Sequence, residues 1–194
     1  MVSCFGGGAG SDEDSRVNQS SSSDAISYCS FERPPFVATF SLGAKEVYFF
    51  GLHVKPDRAS SELNILDDAI ESVVGDVSES EIVAFGDFNA DCDYLSDSEY
   101  NSLDLISKGY IFPIGKDGDT NVASSRCAYD VFAVHLDEVT QNNPVIYSSM
   151  PSEVSDHYPI GLTLEVEGKD MRSLRLTWRG TDQVRRGEVN SSLM

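Results

Sequence analysis

The chain has 194 residues, 40% hydrophobic and 10% aromatic, which is enough for one cored domain with tails and excludes a chain disordered throughout. Against 14 Lys and Arg stand 32 Asp and Glu, a net charge of −18, which excludes a basic glove for nucleic acid but not an enzyme that neutralises its own carboxylates with metal ions. No apolar run reaches the length of a membrane span, and Met1–Gly10 has neither the basic start nor the apolar stretch of a signal peptide.

Residues 1–30 are rich in Gly, Ser and Asp, and read as a flexible lead-in or a long surface loop. Phe36 to Phe40 reads as a strand. Glu46 to Val54 reads as a second, too continuously apolar at Val47, Tyr48, Phe49, Phe50 and Leu52 to have a wet face. The spacing of Leu63, Leu66, Ile70 and Val73, supported by Ala69 and Val74, predicts a helix over 57–74 that Gly75 ends. Ile82 to Phe88 is a short buried strand, and Ser96 to Ile106 reads as helical. Tyr110 to Ile114, Ala128 to Val134 and Tyr158 to Val166 read as further strands, the last alternating through Ile160, Leu162, Leu164 and Val166. From Lys169 to Met194 six basic residues face three acidic ones, and this stretch reads as a basic solvated tail. There is no internal repeat. The order of elements predicts a layered domain of helices and strands whose strands end in polar loops.

Those loops hold the residue types that do chemistry. Gly86-Asp87-Phe88-Asn89-Ala90-Asp91 follows the third strand and offers a carboxylate and a carboxamide two residues apart. By itself D-x-N is common in acidic surface turns. Ser155-Asp156-His157-Tyr158-Pro159 precedes the last strand, with Asp and His on opposite sides of an extended chain. Tyr129-Asp130 supplies a carboxylate from an apolar segment, and His53 closes the second strand. Each is weak alone, but together four strand ends present two imidazoles, several carboxylates and an amide. Metal-assisted phosphodiester hydrolysis needs this set: an oriented imidazole to take a proton from water, and a carboxylate-held cation to neutralise developing charge. The four cysteines (Cys4, Cys29, Cys92, Cys127) and three histidines show no zinc-site spacing, and counting fits two disulfides or four thiols equally.

Five segments in register over roughly 31–166 carry a resemblance: Phe31-Glu32-Arg33-Pro34-Pro35-Phe36-Val37, Leu52-His53-Val54-Lys55-Pro56, Gly86-Asp87-Phe88-Asn89-Ala90-Asp91-Cys92, Cys127-Ala128-Tyr129-Asp130 and Ser155-Asp156-His157-Tyr158-Pro159. Together they resemble the deoxyribonuclease I family of the endonuclease/exonuclease/phosphatase superfamily. The resemblance implies an α+β fold, part of a four-layer α/β/β/α sandwich, with 31–168 as its C-terminal part and the N-terminal strands lacking. It implies a monomeric endonuclease acting on DNA, dependent on magnesium, with calcium or manganese as alternatives. It makes His157 the general base oriented by Asp130, and His53 the histidine on the leaving-group side. Asp87 and Asn89 would bind phosphate, water or metal, Asp156 would be a metal ligand, and Arg33 would contact the DNA backbone. Cys92 and Cys127 would form the family's disulfide in a secreted protein, although this chain shows no signal peptide.

Two positions depart from the pattern: Val131 stands where the family has arginine, and Pro34 where it has glutamate. The family's N-terminal asparagine and two glutamates find no counterpart in 1–30, and its actin-binding surface is not carried over. The expectation is therefore a nuclease weakened by the missing part. The alternatives are an inactive remnant or binding module, and a relative acting on lipid or inositol phosphates, against which the Ala-Asp-Cys and Cys-Ala-Tyr-Asp segments argue.

Overall fold

The computed structural model describes residues 30–149, 151, 153–166 and 172–178. The lead-in 1–29, with Cys4 and Cys29, lies outside the described residues, as do both ends of the expected tail.

Two sheets form the frame. In the first, β1 (Phe36–Leu42), β2 (Lys45–His53), β3 (Glu81–Asp87) and β4 (Asp130–His135) lie side by side in chain order. β1 and β2 make an antiparallel hairpin turned at Gly43, whose φ of 66° suits a residue without Cβ. β2 and β3 run parallel, joined across one face by α1 (Ala59–Val74), and β4 returns antiparallel to β3. The second sheet is antiparallel, with β6 (Ile160–Val166) between β5 (Val139–Ile146) and β7 (Arg172–Trp178).

Two cores follow from the strand alternation. Phe50, Leu52, Ile82, Ala84, Val131 and Ala133 point to the helical side and meet Leu63, Leu66, Ala69 and Ile70 of α1. Val47, Phe49, Val83, Phe132 and Val134 point the other way and meet Ile160, Leu162 and Leu164 of β6. The continuous apolar runs of β2 and β3 are thus those of strands covered on both faces. Among the described residues this is an α+β arrangement of a helical layer and two packed sheets.

Four local expectations are corrected. Ser96–Ile106 is two short helices, α2 (Asp97–Asn101) and α3 (Asp104–Ser107), because Ser96 and Glu99 form a capping box that starts a helix with no apolar stripe to extend it. Tyr110–Ile114 forms only a single bridge, Ile111 to Val134. On α1, Val73 is exposed, while Val74 packs inward as the stripe predicts. Within the expected tail, Arg172–Trp178 is β7, paired along the whole of β6; Leu174, Leu176 and Trp178 alternate onto the core side. β5 was not anticipated either. Among the described residues no helix is long and apolar enough to cross a membrane.

Candidate active site

Three of the expected site residues form one row across the first sheet. His53 is the cross-strand partner of Asp87, and Asp87 is the partner of Asp130. Residues in register share a face. The row therefore lies one step beyond Gly51, Phe85 and Phe132, at the rim of the core between the sheets. Close approach of β2 and β3 just before the row needs Gly86: at φ 135° a Cβ there would lie 2.0 Å from the Leu52 carbonyl oxygen.

His157 joins the row from the loop before β6. Its backbone bridges to Asn121, and Tyr158 N–H donates to the Thr120 carbonyl at 2.8 Å. The Thr120 hydroxyl, fully buried, accepts from the N–H groups of Tyr129 (2.8 Å) and Asp130 (2.9 Å). One threonine thus ties the His157 loop to the start of β4.

The side chains then meet as a chain of contacts. His157 Nδ1 hydrogen-bonds Asp130 Oδ2. A carboxylate accepts, so Nδ1 carries the proton and Nε2 is the nitrogen able to take one. Asp130 is fully buried, and its other oxygen accepts from Trp178 Nε1 at 2.8 Å. Asp87 Oδ2 lies 3.9 Å from His157 Nδ1 and 3.3 Å from His53 Nε2. Arg33 approaches His53 Nδ1 at 3.1 Å. A guanidinium can only donate, so Nδ1 accepts and the ring proton sits on Nε2, facing Asp87. The two imidazoles are therefore of opposite tautomer, with one carboxylate between them.

Burial pushes the Asp87 carboxyl up to about 6, helped by the negative charge of Asp130; His157, the Asn89 N–H and Arg33 offset this only in part. For His157 burial works against the charged form. The hydrogen bond and charge of Asp130, with the charges of Asp87 and Asp156, outweigh it and raise the imidazole to about 9. The His157 shift records the surrounding carboxylates, whereas the Asp87 shift records burial first and the charge of Asp130 second.

The remaining expected residues are placed as follows. Asn89, buried with φ 48°, donates its N–H to Asp87 Oδ1 (3.1 Å) and its amide N–H to the Val54 carbonyl (2.9 Å). Its amide oxygen is the end suited to a ligand. Asp156 is exposed beside His157, its carbonyl held by Val122 N–H. The structure does not gather Asp87, Asp130 and Asp156 around one point. Among the described residues the only trio of His, Cys, Asp or Glu ligand atoms within 4.8 Å of one another is Asp67, Asp68 and Glu71, away from this row, where Lys108 already pairs with Asp67 and Glu71. Val131 points to the helix-side core, so the valine takes no charge away from the site face.

Cys92 and Cys127 form a disulfide with Cα atoms 5.9 Å apart, joining the loop after Asn89 to the loop before Asp130. Asp91 braces the same junction by accepting from Ala128 N–H at 2.9 Å. Closing a 35-residue span in the unfolded chain is worth roughly 3–4 kcal/mol in the chain-entropy account. Reduction with a phosphine is expected to lower the free energy of unfolding in urea by about that amount, with the loss absent in a Cys92→Ser/Cys127→Ser variant.

Glu62 of α1 gave no signal in the sequence. It is fully buried, and its two oxygens accept from Glu32 N–H (3.0 Å) and Lys55 N–H (3.1 Å). It thereby clamps the segment carrying Arg33 to the turn after His53. Glu62→Ala removes the buried acceptor of two partly buried N–H groups and is expected to cost about 1–3 kcal/mol in urea unfolding, with Glu62→Gln recovering part of it. Thr120 was equally silent. Trp178 had a readable sign, the alternation Leu174-x-Leu176-x-Trp178.

No family model matches the chain. Deoxyribonuclease-1 from Ovis aries is 33% identical over 153 residues, which is 70% of this chain and 58% of the relative. Deoxyribonuclease-1-like 1 from Homo sapiens is 30% identical over 164 residues, 76% of this chain and 54% of the relative. The chain thus spans a little over half the length of the curated relatives it matches. A solved structure of humanized D. rerio TDP2 shares the fold, with a TM-score of 0.51 and 12% identity over 68% of this chain and 60% of that one. Over about 70% of its length the chain is homologous to the deoxyribonuclease I family.

Proposed function

We propose that this chain carries the histidine half of a divalent-metal-dependent endonuclease site that hydrolyses DNA phosphodiester bonds. The observation that carries the reading is the Asp130–His157 pair facing His53 across Asp87.

His157, its tautomer set by Asp130, takes the proton of an attacking water at Nε2. His53, whose Nε2 proton faces Asp87, stands on the leaving-group side, and Arg33 on its far side holds the ring. Arg33 also supplies a cation for a phosphate. The residues suit a hard divalent ion, magnesium first and calcium or manganese next, because Asp87, the Asn89 amide oxygen and Asp156 are all oxygen donors. When bound, such an ion supplies charge stabilisation at the phosphate. The disulfide fits a protein of the secreted compartment.

The intact dyad favours catalysis over an inert remnant. Supercoiled plasmid incubated with the purified chain is expected to be nicked slowly with magnesium and not at all with excess EDTA. Plasmid that stays supercoiled at high protein concentration overturns the reading.

A further inference from the structure

We infer that Trp178 is a positioning residue of this site, contributed by a strand outside the 31–166 span that carries the family motifs. The inference rests on the proposed hydrolytic role of the Asp130–His157 pair.

Asp130 has two oxygens and no solvent. One is taken by His157, and the other accepts the indole N–H of Trp178 at 2.8 Å. With a single anchor the carboxyl group could rotate about its Cβ–Cγ bond and release the imidazole. With an anchor on each oxygen its plane is set, and through it the ring and tautomer of His157. The buried oxygen facing Trp178 would otherwise lack a partner, at a cost that favours reorientation.

The indole is itself held. Trp178 pairs with Ile160 at the start of β6, three residues after His157, so both partners of Asp130 are tied to one strand end. Its ring lies edge-on to Phe85 at 5.4 Å, and Phe85 precedes Asp87 by two residues on the same face of β3. The second sheet thus supplies an anchor for a carboxylate of the first. A histidine or glutamine at 178 would also donate, but without the area that packs on Phe85.

Trp178 is the chain's single tryptophan, so its indole N–H gives one assignable NMR signal. In the full chain we expect that signal to exchange slowly with solvent and to shift in Asp130→Asn. Trp178→Phe keeps the ring against Phe85 and removes the donor. Recorded at a pH high enough for the ring to be neutral, the His157 nitrogen-15 pattern should turn from one tautomer into a mixture, and kcat should fall about tenfold with KM unchanged. An indole N–H that exchanges freely and ignores Asp130→Asn overturns the inference. So does a Trp178→Phe variant with unaltered His157 nitrogens, or one that loses KM rather than kcat. Wild-type chain that cuts no DNA overturns the nuclease reading alone, because the indole and tautomer measurements need no turnover. If Trp178→Phe does not fold, the wild-type indole signal against Asp130→Asn decides.

Discussion

His157→Ala is expected to slow plasmid nicking by about 10²–10⁴-fold, the range over which a positioned base acts, while the far-ultraviolet circular dichroism stays that of the wild type. The side chain is half-buried on a loop and contributes little core, so the fold should survive its loss. Asp130→Asn is expected to fall nearly as far, because an amide can turn its NH2 toward Nδ1 and favour the wrong tautomer. The two losses should not add, since both remove one dyad. A His157→Ala protein as active as wild type would end the claim that this imidazole is the base. The same pair predicts the pH course. Raised to about 9, His157 is protonated at neutral pH in the metal-free protein and cannot accept a proton. Activity should climb as pH rises toward 9, and sooner when added cation weakens the field of Asp87 and Asp156.

Asp87→Asn is expected to destroy activity and yet stabilise the chain. Burial and the neighbouring Asp130 raise the Asp87 carboxyl from 3.8 to about 6. The native state then holds a proton that the unfolded state has released, so between those values stability falls as pH rises. His157 acts in the same direction in a second window. Its folded value of about 9 lies above the ordinary 6.5, so its contribution is complete below 6.5 and is lost as pH climbs through 9. The metal-free fold thus loses stability with rising pH in two windows, between 3.8 and about 6 at Asp87 and between 6.5 and about 9 at His157. Asparagine at 87 keeps the acceptor for Asn89 N–H and discards the charge. Urea unfolding in EDTA at pH 7.5 should show a gain of about 2 kcal/mol, shrinking toward pH 4. A loss of stability at both pH values would show that the carboxylate is not held at an electrostatic cost. Such a cost marks residues kept for chemistry rather than for folding.

The acidic chain makes salt a further handle. At −18 the long-range field repels DNA, and Arg33 is the cation found at the row itself. Arg126, beside the disulfide, binds the Asp117 carbonyl at 2.5 Å. Productive contact therefore rests on a small number of charges and on divalent cation, and should weaken as monovalent salt screens them.

Most of the site was legible because its residues sit at strand ends with strong patterns. The buried runs of β2 and β3 end at His53 and Asp87, and Pro159 precedes the alternation of β6 just after His157. Even the row is implicit there: once β2, β3 and β4 pair, one register brings His53, Asp87 and Asp130 together. What failed was local. Ser96-x-x-Glu99 announces a helix start but not its length, and a Tyr110–Ile114 run of strand formers found only one bridge. The stretch 172–178 hid a strand, because its two arginines grouped it with the basic tail although Leu174, Leu176 and Trp178 alternate.

The order of strands, the apolar stripe of α1 and the residues that bear the chemistry are properties of the sequence by itself, since periodicity and residue type are local quantities. The tautomers of two histidines, the raised carboxyl of Asp87, and the service of Glu62, Thr120 and Trp178 exist only in the folded protein. They depend on which atom faces which across residues up to 48 positions apart, or in the electrostatic case on desolvation that no linear pattern encodes.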